Sequence, residues 1–422
     1  MSNGVSRVFG LMLPLVASAG CAQILGIEDL NSGTPGTNTD GGFDPGKPVD
    51  APGMGAACAP VPVFGAATNY SVGMGIAVAV GDLNRDGVKD VVVVTLSGDV
   101  VIFNGTGNGL LGPSRPLHTT PTLATGALIA DVDGDGSSDV VTWDGFYMPT
   151  GLMGNNTVSV HRQNPTAAGT FLTAQSFSVF GVLGAVAGKL NADNRADLMI
   201  ASQTTTGTVP YFASTATAGA FTAGSSIDNG GSLIHVGDID GDGLDDAAFT
   251  TTSMGIKIAF NDGGTFSPRN VGTGSSSFAS FGQYAVHAMA DQDAVIEQGG
   301  SGALFRQMAP RSFVLQSAMA VNRVMGCPPG MGTPGSCMPT LDLNADGRDD
   351  VVGSGMAVIQ CPTMGTFYPG QMDPTQIVFN QLAMMPGSSF VLADINANGK
   401  PDLIGLFPQG GSQAQFLEVS LQ

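Results

Sequence analysis

Short apolar runs separated by polar and glycine-rich segments recur along most of this 422-residue chain. Two examples are residues 91–95 and 100–103, which are rich in β-branched side chains and bounded by Gly, Ser and Thr. Runs of this length and composition predict β-strands joined by turns. No part of the sequence shows a sustained helical periodicity. The pattern therefore predicts an all-β fold.

A nine-residue acidic segment lies between many of these apolar runs. It has carboxylate or amide side chains at positions 1, 3, 5 and 9 and glycine at position 6. A glycine at position 6 permits the positive φ of a sharp turn. The five complete copies, which we call the acidic loops, span residues 82–90, 131–139, 238–246, 342–350 and 394–402.

This arrangement of oxygens suits Ca²⁺, a hard cation that takes about six to eight oxygen ligands. Side chains at positions 1, 3, 5 and 9 and the backbone carbonyl at position 7 are the expected ligands. The alternative is that the segments are plain Asp/Gly turns between strands. An EF-hand is excluded because position 12, which would be Glu, is Val93, Thr142, Phe249, Gly353 or Gly405.

The expected ligands form five sets of five. They are Asp82, Asn84, Asp86, Val88 and Asp90; Asp131, Asp133, Asp135, Ser137 and Asp139; Asp238, Asp240, Asp242, Leu244 and Asp246; Asp342, Asn344, Asp346, Arg348 and Asp350; and Asp394, Asn396, Asn398, Lys400 and Asp402. Loops 131–139 and 238–246 each have four carboxylates at the ligand positions and loop 394–402 has two. We expect the last to bind calcium most weakly.

The acidic loops are spaced by one or two steps of similar length. Single steps are 49 residues (82 to 131) and 52 residues (342 to 394), and the two remaining steps, 107 and 104 residues, are double. The first double step contains a copy from Lys189 to Asp197 with lysine as its first residue, which predicts a metal-free loop. The second contains Asp293 in a degenerate copy that has lost the glycine. The chain therefore has seven units.

Repeats of about 50 residues indicate an array or a propeller. Residues 58–422 number 365, which seven units of about 52 residues fill completely. Seven four-stranded sheets arranged radially bury their faces against one another. We predict a single seven-bladed β-propeller over residues 58–422.

These residues resemble the FG-GAP/VCBS repeat family, which includes the propeller of integrin α-subunits. Phe64, Tyr70 and Gly73, followed by the apolar run 78–80 and the first acidic loop, match the order of elements in that family. The resemblance covers about residues 61–422. It implies that each acidic loop joins the first and second strands of a blade and holds structural Ca²⁺, about five ions in all. It also implies a binding, adhesion or scaffold role toward protein or glycan ligands.

The first residues of the chain predict export. Arg7 is followed by an apolar run, 8–20, that is too short to span a bilayer and is typical of a signal peptide, predicted at residues 1–20. Ser18, Ala19, Gly20 and Cys21 resemble the lipobox of bacterial lipoproteins, which implies a lipid anchor on Cys21; the alternative is an ordinary signal peptide. Residues 21–57 are predicted to be a flexible tether. The expected location is the cell envelope or surface, on the outer membrane if the cell has one.

Four further cysteines suit an oxidising compartment and allow three pairings. We favour Cys327 with Cys337, because the Pro/Gly-rich segment between them can bring its ends together, and therefore Cys58 with Cys361. Propellers of the family usually complete their last blade with a strand from the other end of the chain. Residues 61–66 are accordingly expected to pair with residues 415–421.

The charge pattern excludes one class of partner. The formal net charge is −19, and 16 of the 34 acidic residues are at the expected ligand positions of the five acidic loops. Lys and Arg are sparse and form no stripe, which argues against nucleic-acid binding.

Signals of catalysis are weak. The four histidines, His118, His161, His235 and His287, are isolated, and none lies in a nucleophile motif. His235 is predicted to be a satisfied core or strand-edge residue. Trp143 and Tyr147 either pack within a blade, which we favour, or stack on a sugar. We expect a protein that is not an enzyme; the alternative is a propeller-based polysaccharide lyase or hydrolase.

Overall fold

The computed structural model describes sixteen segments of the chain, and all their regular structure is β. They are residues 64–117, 124–145, 155–202, 208–209, 211–224, 227–228, 233–250, 255–271, 279–282, 292–298, 301–322, 340–341, 349–353, 356–358, 389–408 and 415–422. Within these segments no helix is long and apolar enough to cross a membrane. The all-β prediction is confirmed. Residues 1–20 and 21–57, as well as all five cysteines, lie outside the described residues.

The described segments form 29 strands. The first fifteen are β1 (Thr68–Ser71), β2 (Gly75–Gly81), β3 (Asp90–Thr95), β4 (Val100–Gly105), β5 (Leu111–Pro116), β6 (Gly126–Ala130), β7 (Asp139–Trp143), β8 (Asn155–His161), β9 (Gln175–Phe180), β10 (Val182–Gly188), β11 (Asp197–Ser202), β12 (Thr208–Val209), β13 (Tyr211–Ser214), β14 (Phe221–Ala223) and β15 (Ile227–Asp228). The others are β16 (Leu233–Gly237), β17 (Asp246–Thr250), β18 (Ile256–Asn261), β19 (Phe266–Val271), β20 (Ala279–Gly282), β21 (Asp293–Gln298), β22 (Ser301–Ala309), β23 (Ser312–Asn322), β24 (Thr340–Leu341), β25 (Asp350–Gly353), β26 (Met356–Val358), β27 (Ser389–Ala393), β28 (Asp402–Pro408) and β29 (Gln415–Ser420).

Most strands belong to small antiparallel sheets in which neighbours in sequence are neighbours in space. Six four-stranded sheets are described, with strand orders β2-β3-β4-β5, β6-β7-β8-β9, β10-β11-β13-β14, β16-β17-β18-β19, β20-β21-β22-β23 and β27-β28-β29-β1. A three-stranded sheet, β24-β25-β26, and a short pair, β12-β15, complete the described set. The degenerate unit around Asp293 is a four-stranded sheet like the others.

The first strands of successive sheets lie side by side. Contacts join β27 to β2, β2 to β6, β6 to β10, β10 to β16, β16 to β20 and β20 to β24. Glycines allow this close approach, since a Cβ at Gly81 would lie 2.6 Å from Ile129 Cγ2 and one at Gly188 would lie 2.7 Å from Val236 Cγ1. The sheets therefore follow one another around a common region, as in a propeller.

Apolar cores lie between consecutive sheets rather than inside one of them. In β3, Val92 and Val94 pack with residues of the β6–β9 sheet, whereas Val91 and Val93 pack with residues of β27–β29. All six residues of β3 are buried, because both faces of the strand are covered. This explains why the run 91–95 is continuously apolar instead of alternating.

One strand from early in the chain completes the last sheet. β1 pairs with β29, and Thr68 lies opposite Val419. Before the strand, the Gly65 N–H donates to the Leu421 carbonyl at 2.7 Å. The pairing of an early segment with residues 415–421 is confirmed. The strand itself is Thr68–Ser71 rather than 61–66, of which residues 61–63 lie outside the described part.

Candidate metal centres in the acidic loops

The acidic loops occupy equivalent places in the sheets. Loops 82–90, 131–139, 238–246 and 394–402 each join the first strand of a sheet to the second. The expected position of the acidic loop, between the first and second strands, is confirmed for these four, and calcium in them stays a prediction. Loop 342–350 lies between β24 and β25, but Asp342, Asn344, Asp346 and Arg348 fall outside the described residues.

Each of these four loops has two residues in the left-handed region. The position-6 glycines have φ of 79° (Gly87), 79° (Gly136), 88° (Gly243) and 80° (Gly399). Position 4 is left-handed as well, with φ of 61° (Arg85), 74° (Gly134), 80° (Gly241) and 57° (Ala397). The sequence reasoning missed position 4, although glycine at 134 and 241 was a signal. Both turns point backbone N–H groups into the loop.

The first carboxylate of each loop collects these N–H groups. Asp131 accepts the Gly134 N–H at 2.7 Å on Oδ1 and the Gly136 N–H at 2.9 Å on Oδ2. Asp238 accepts the corresponding Gly241 and Gly243 N–H groups at 2.8 and 2.9 Å. The carboxylate at position 1 therefore fixes the turn and holds its own charge in place.

The ninth carboxylate is buried and fastens the loop to the third strand of its sheet. Asp139 accepts the Val132 N–H at 3.2 Å and the Gln163 N–H at 2.7 Å. Asp246 accepts the Ile239 and Asn261 N–H groups at 3.0 and 2.7 Å. In the degenerate unit, buried Asp293 still accepts the Gln307 N–H at 2.9 Å. Position 9 therefore has a structural role that persists where the rest of the loop is lost.

Carboxylates converge in the two loops that hold four of them. Oxygens of Asp131, Asp133 and Asp139 all lie within 4.8 Å of one another, as do those of Asp238, Asp240 and Asp246. Among the described residues, only these two groups come that close. The Asp133 Oδ1 atom is buried and has no hydrogen-bond partner. An unpartnered carboxylate oxygen among two further carboxylates fits a hard cation such as Ca²⁺.

Burial works against the negative charge of these groups. It raises the pKa of Asp139 and of Asp246 to about 8, although backbone hydrogen bonds oppose the shift. It also raises the pKa of Asp90 to about 6. The pKa values of Asp131, Asp238 and Asp402 are raised for the same reason. A cation in the loop would offset this cost.

Arginines from outside the loops contact the position-3 carboxylates. Arg162, which follows β8, bonds Asp133 Oδ2 at 3.1 Å through Nη1. Arg311, between β22 and β23, bonds Asp240 Oδ2 through Nε and reaches Asp242 Oδ2 at 3.4 Å. The sequence reasoning missed both, because each lies in a different element from the loop it contacts.

The lysine-containing loop differs in backbone and in charge pairing. No positive φ is found among its non-glycine residues; of the non-glycine residues described, Arg85, Arg311 and Ala397 alone have one. Within this loop Arg195 pairs with Asp193 at 2.9 Å, and Asn191 Nδ2 donates to Asp197 Oδ1 at 3.2 Å. Asn396 makes a similar bond to Asp402 at 3.4 Å in loop 394–402. Amide nitrogens thus occupy part of the space between positions 3 and 9 in these two loops.

Hydrogen bonds link one loop to the next. The N–H at position 8 donates to a carbonyl at position 1 or 2 of the preceding loop, all at 2.9 Å: Ala196 to Asp131, Asp245 to Lys189, and Gln292 to Ile239. Side-chain amides near the end of the third strand add bonds from Asn261 Nδ2 to Leu190 O and from Gln307 Nε2 to Ile239 O, at 2.9 and 2.8 Å. The repeated amide near the end of the third strand was a signal that the sequence reasoning did not use.

The aromatic and histidine candidates lie in the sheets. Trp143 is buried in the core between the β6–β9 and β10–β14 sheets, so the packing interpretation is confirmed. His161 is buried too. The His235 ring stacks on Phe281 with centroids 5.1 Å apart, and burial lowers its pKa to about 4. His235 lies in β16 and packs on the core residue Phe281, and its Nε2 atom is buried without a hydrogen-bond partner. His118, His287 and Tyr147 lie outside the described residues.

Known proteins place this geometry in context. Residues 82–142 match the model of the FG-GAP-like repeat family. No curated protein matches the chain significantly.

Two solved structures are similar in fold. One is described as the basis of specific recognition of non-reducing terminal N-acetylglucosamine by an Agrocybe aegerita lectin; the TM-score is 0.52 at 17% identity, covering 75% of this chain and 83% of that one. The other is BBS1N in complex with ARL6DN, soaked with mercury, with a TM-score of 0.49 at 9% identity, covering 86% of this chain and 97% of that one. The chain therefore contains an FG-GAP-like repeat region within a β-propeller-type fold.

Proposed function

We propose that the chain is a calcium-stabilised, seven-bladed β-propeller that acts as a binding or scaffold module for protein or glycan ligands. Six four-stranded sheets and the β24–β26 sheet support this proposal, since they would correspond to seven blades. The cores between consecutive sheets and the side-by-side first strands support a radial arrangement. A rigid ring of this kind presents loops at fixed positions, which suits a binding or scaffold module.

One observation carries the calcium part of the proposal. Asp133 Oδ1 is buried without a partner in a loop where three carboxylates lie within 4.8 Å of one another. Such a group is costly unless a cation or a proton meets it. Asp131, Asp133, Asp135 and Asp139, with the Ser137 carbonyl, would hold the ion in this loop. Equivalent residues would hold it in the other acidic loops.

The calcium proposal is tested on the full-length protein. Ligand that binds only the folded state raises stability by about 2.7 kcal/mol per site at a hundredfold excess over Kd. We expect elemental analysis to find calcium and thermal unfolding to shift to lower temperature in EDTA. An unchanged melting curve together with no bound metal would reject the proposal.

Location and anchoring rest on the first residues of the sequence. We propose that the protein is exported and held on the cell envelope by a lipid on Cys21, with residues 21–57 as a tether. Replacing Cys21 with Ser is expected to move the protein from the membrane fraction to the soluble fraction. Retention of the variant in the membrane fraction would contradict the anchor.

The ligand class is tested by a glycan array. The N-acetylglucosamine named for the structurally similar lectin makes glycans with that terminal sugar the first to examine. Binding of the protein to a glycan in Ca²⁺, but not in EDTA, would support a calcium-dependent recognition module. Degradation of a polysaccharide instead of retention would favour the propeller-based lyase or hydrolase. If the protein binds a surface protein and no glycan, its ligand is a protein.

A further inference from the structure

Arg311 is held in an unusual backbone conformation next to loop 238–246. It lies in the turn between β22 and β23, in the sheet that follows the one containing this loop. Its φ is 63°, in the left-handed region that few non-glycine residues adopt. A strained position of this kind persists where surrounding contacts determine it.

The guanidinium group of Arg311 meets three carboxylates and an aromatic face. Nε bonds Asp240 Oδ2, Nη1 bonds Asp262 Oδ1 at 2.6 Å, and Nη2 lies 3.4 Å from Asp242 Oδ2. The group sits 5.1 Å from the centre of the Phe260 ring. Asp240 and Asp242 are positions 3 and 5 of the acidic loop. The charge of Arg311 therefore stands beside oxygens that a metal ion would use.

The same turn is tied to the loop through a buried glutamine. The Arg311 N–H donates to Gln307 Oε1 at 2.8 Å. Gln307 Nε2 in turn donates to the carbonyl of Ile239, position 2 of the loop, at 2.8 Å. Hydrogen bonds that involve backbone groups, as well as ion pairs, therefore fix the position of Arg311 relative to the loop.

The other four-carboxylate loop lacks this arrangement. Arg162 bonds only one oxygen of Asp133, at 3.1 Å, and leaves the buried Oδ1 without a partner. Its backbone φ is not positive. In loop 131–139 one oxygen of Asp133 is therefore free to bind a cation. In loop 238–246 the carboxylates at positions 3 and 5 contact an arginine instead.

We propose that Arg311 is a resident cation of loop 238–246, which links two neighbouring sheets without metal and competes with Ca²⁺ for Asp240 and Asp242. A calcium ion can take those oxygens only by displacing charge-assisted hydrogen bonds. Loop 238–246 then binds calcium more weakly than loop 131–139, although both have four carboxylates. The comparison of affinities rests on the proposed calcium function; the metal-free link does not.

The metal-free link is tested by Arg311→Met in EDTA. Methionine keeps an unbranched apolar stem but removes the charge and the guanidinium group that lies over Phe260. We expect the melting temperature of the variant to fall clearly below that of the wild-type protein, and added Ca²⁺ to recover most of the loss. Arg162→Met is the matched control and is expected to lower the melting temperature much less. Equal melting of Arg311→Met and wild type in EDTA would overturn the proposal.

The competition is tested by calcium titration of the same proteins, with Asp131→Asn and Asp238→Asn identifying the two loops. We expect Arg311→Met to tighten the step lost in Asp238→Asn by about tenfold or more, a change of about 1.4 kcal/mol. The step lost in Asp131→Asn is expected to stay unchanged. If Arg311→Met leaves the calcium affinity of the Asp238-dependent step unchanged while loop 131–139 binds calcium normally, the proposed competition is overturned. Absence of binding at both loops would reject the calcium function and, with it, the competition; the EDTA result would then judge the metal-free link alone.

Discussion

Loops 131–139 and 238–246 have the same pattern of four carboxylates, yet their surroundings differ. Both have left-handed residues at positions 4 and 6 and a buried ninth carboxylate, bound by two N–H groups in the first loop and three in the second. In the first loop Asp133 Oδ1 is buried without a partner, and in the second Arg311 contacts Asp240 and Asp242. The number of carboxylates in a loop therefore does not fix the charge of the site. The residues of the neighbouring elements decide it.

The largest expected effect concerns what the two loops share. Asp139→Ala leaves two N–H groups without an acceptor and Asp246→Ala leaves three, since the ninth carboxylate bonds both the loop and the third strand. We expect each variant to lose about 2 to 5 kcal/mol of unfolding free energy, even in EDTA. Urea unfolding of the metal-free proteins measures this. A large loss in one loop and none in the other would show that position 9 does not have a common structural role.

The next effect separates the two loops. In saturating Ca²⁺, Asp133→Asn is expected to remove most of the calcium-dependent gain of its loop, about 2.7 kcal/mol at a hundredfold excess over Kd. In EDTA the same substitution is expected to change the free energy of unfolding little, because it removes one partly exposed ion pair. Asp240→Asn is expected to lose stability already in EDTA, because Arg311 loses a partner. Thermal unfolding in both buffers measures this difference, and equal losses of the two variants in EDTA would remove the distinction.

The pH dependence tests what neutralises the buried carboxylates. The folded-state pKa values of Asp139 and Asp246, raised by burial to about 8, lie above those of an unfolded chain. Between about pH 4 and pH 8 the folded metal-free protein therefore binds more protons than the unfolded one, and its stability falls as pH rises. We expect the melting temperature in EDTA to fall from pH 5.5 to pH 8. With Ca²⁺ bound the fall is expected to be smaller, and equal falls in both buffers would contradict a metal at these carboxylates.

The smallest effect concerns the amides beside the two loops. Buried Asn261 donates to Leu190 O and Asp245 O and accepts the Gly264 N–H. Gln163 donates only to Ser138 O, and its Oε1 is buried without a partner. Replacing Asn261 with Leu is expected to lower the free energy of unfolding by about 2 kcal/mol, and replacing Gln163 with Leu by less than about 1 kcal/mol. Chemical denaturation measures both, and a larger loss at Gln163 would contradict the comparison.

Much of the scaffold could be predicted because its determinants are local. The acidic pattern fixed the place of the loops between first and second strands, and Asp293 alone indicated a sheet where the rest of the pattern was lost. The pairing of an early strand with residues 415–421 was also expected, although the strand lies at Thr68–Ser71. That segment is TNYS, with alternating half-buried and exposed residues, and has no apolar run to reveal it.

The residues around the loops could not be predicted in this way. Arg311 lies 69 positions from Asp242, and its contact depends on how two sheets pack. Position 4 adopts the left-handed region even where it is Arg85 or Ala397, so residue type alone does not reveal it. The hydrogen bonds of Asn261 and Gln307 to the preceding loop likewise follow from the order of the sheets around the ring.

The pairing of β1 with β29 has a consequence for the order of synthesis. Thr68 is made early, whereas its partner Val419 follows 351 residues later. During this interval β1 has no strand to pair with, and the sheet of β27, β28 and β29 does not yet exist. Contacts so distant in sequence form slowly, and an unpaired edge strand invites association with other chains. Three of its four side chains, Thr68, Asn69 and Ser71, are polar, and the strand is short, so the waiting edge offers other chains little apolar surface.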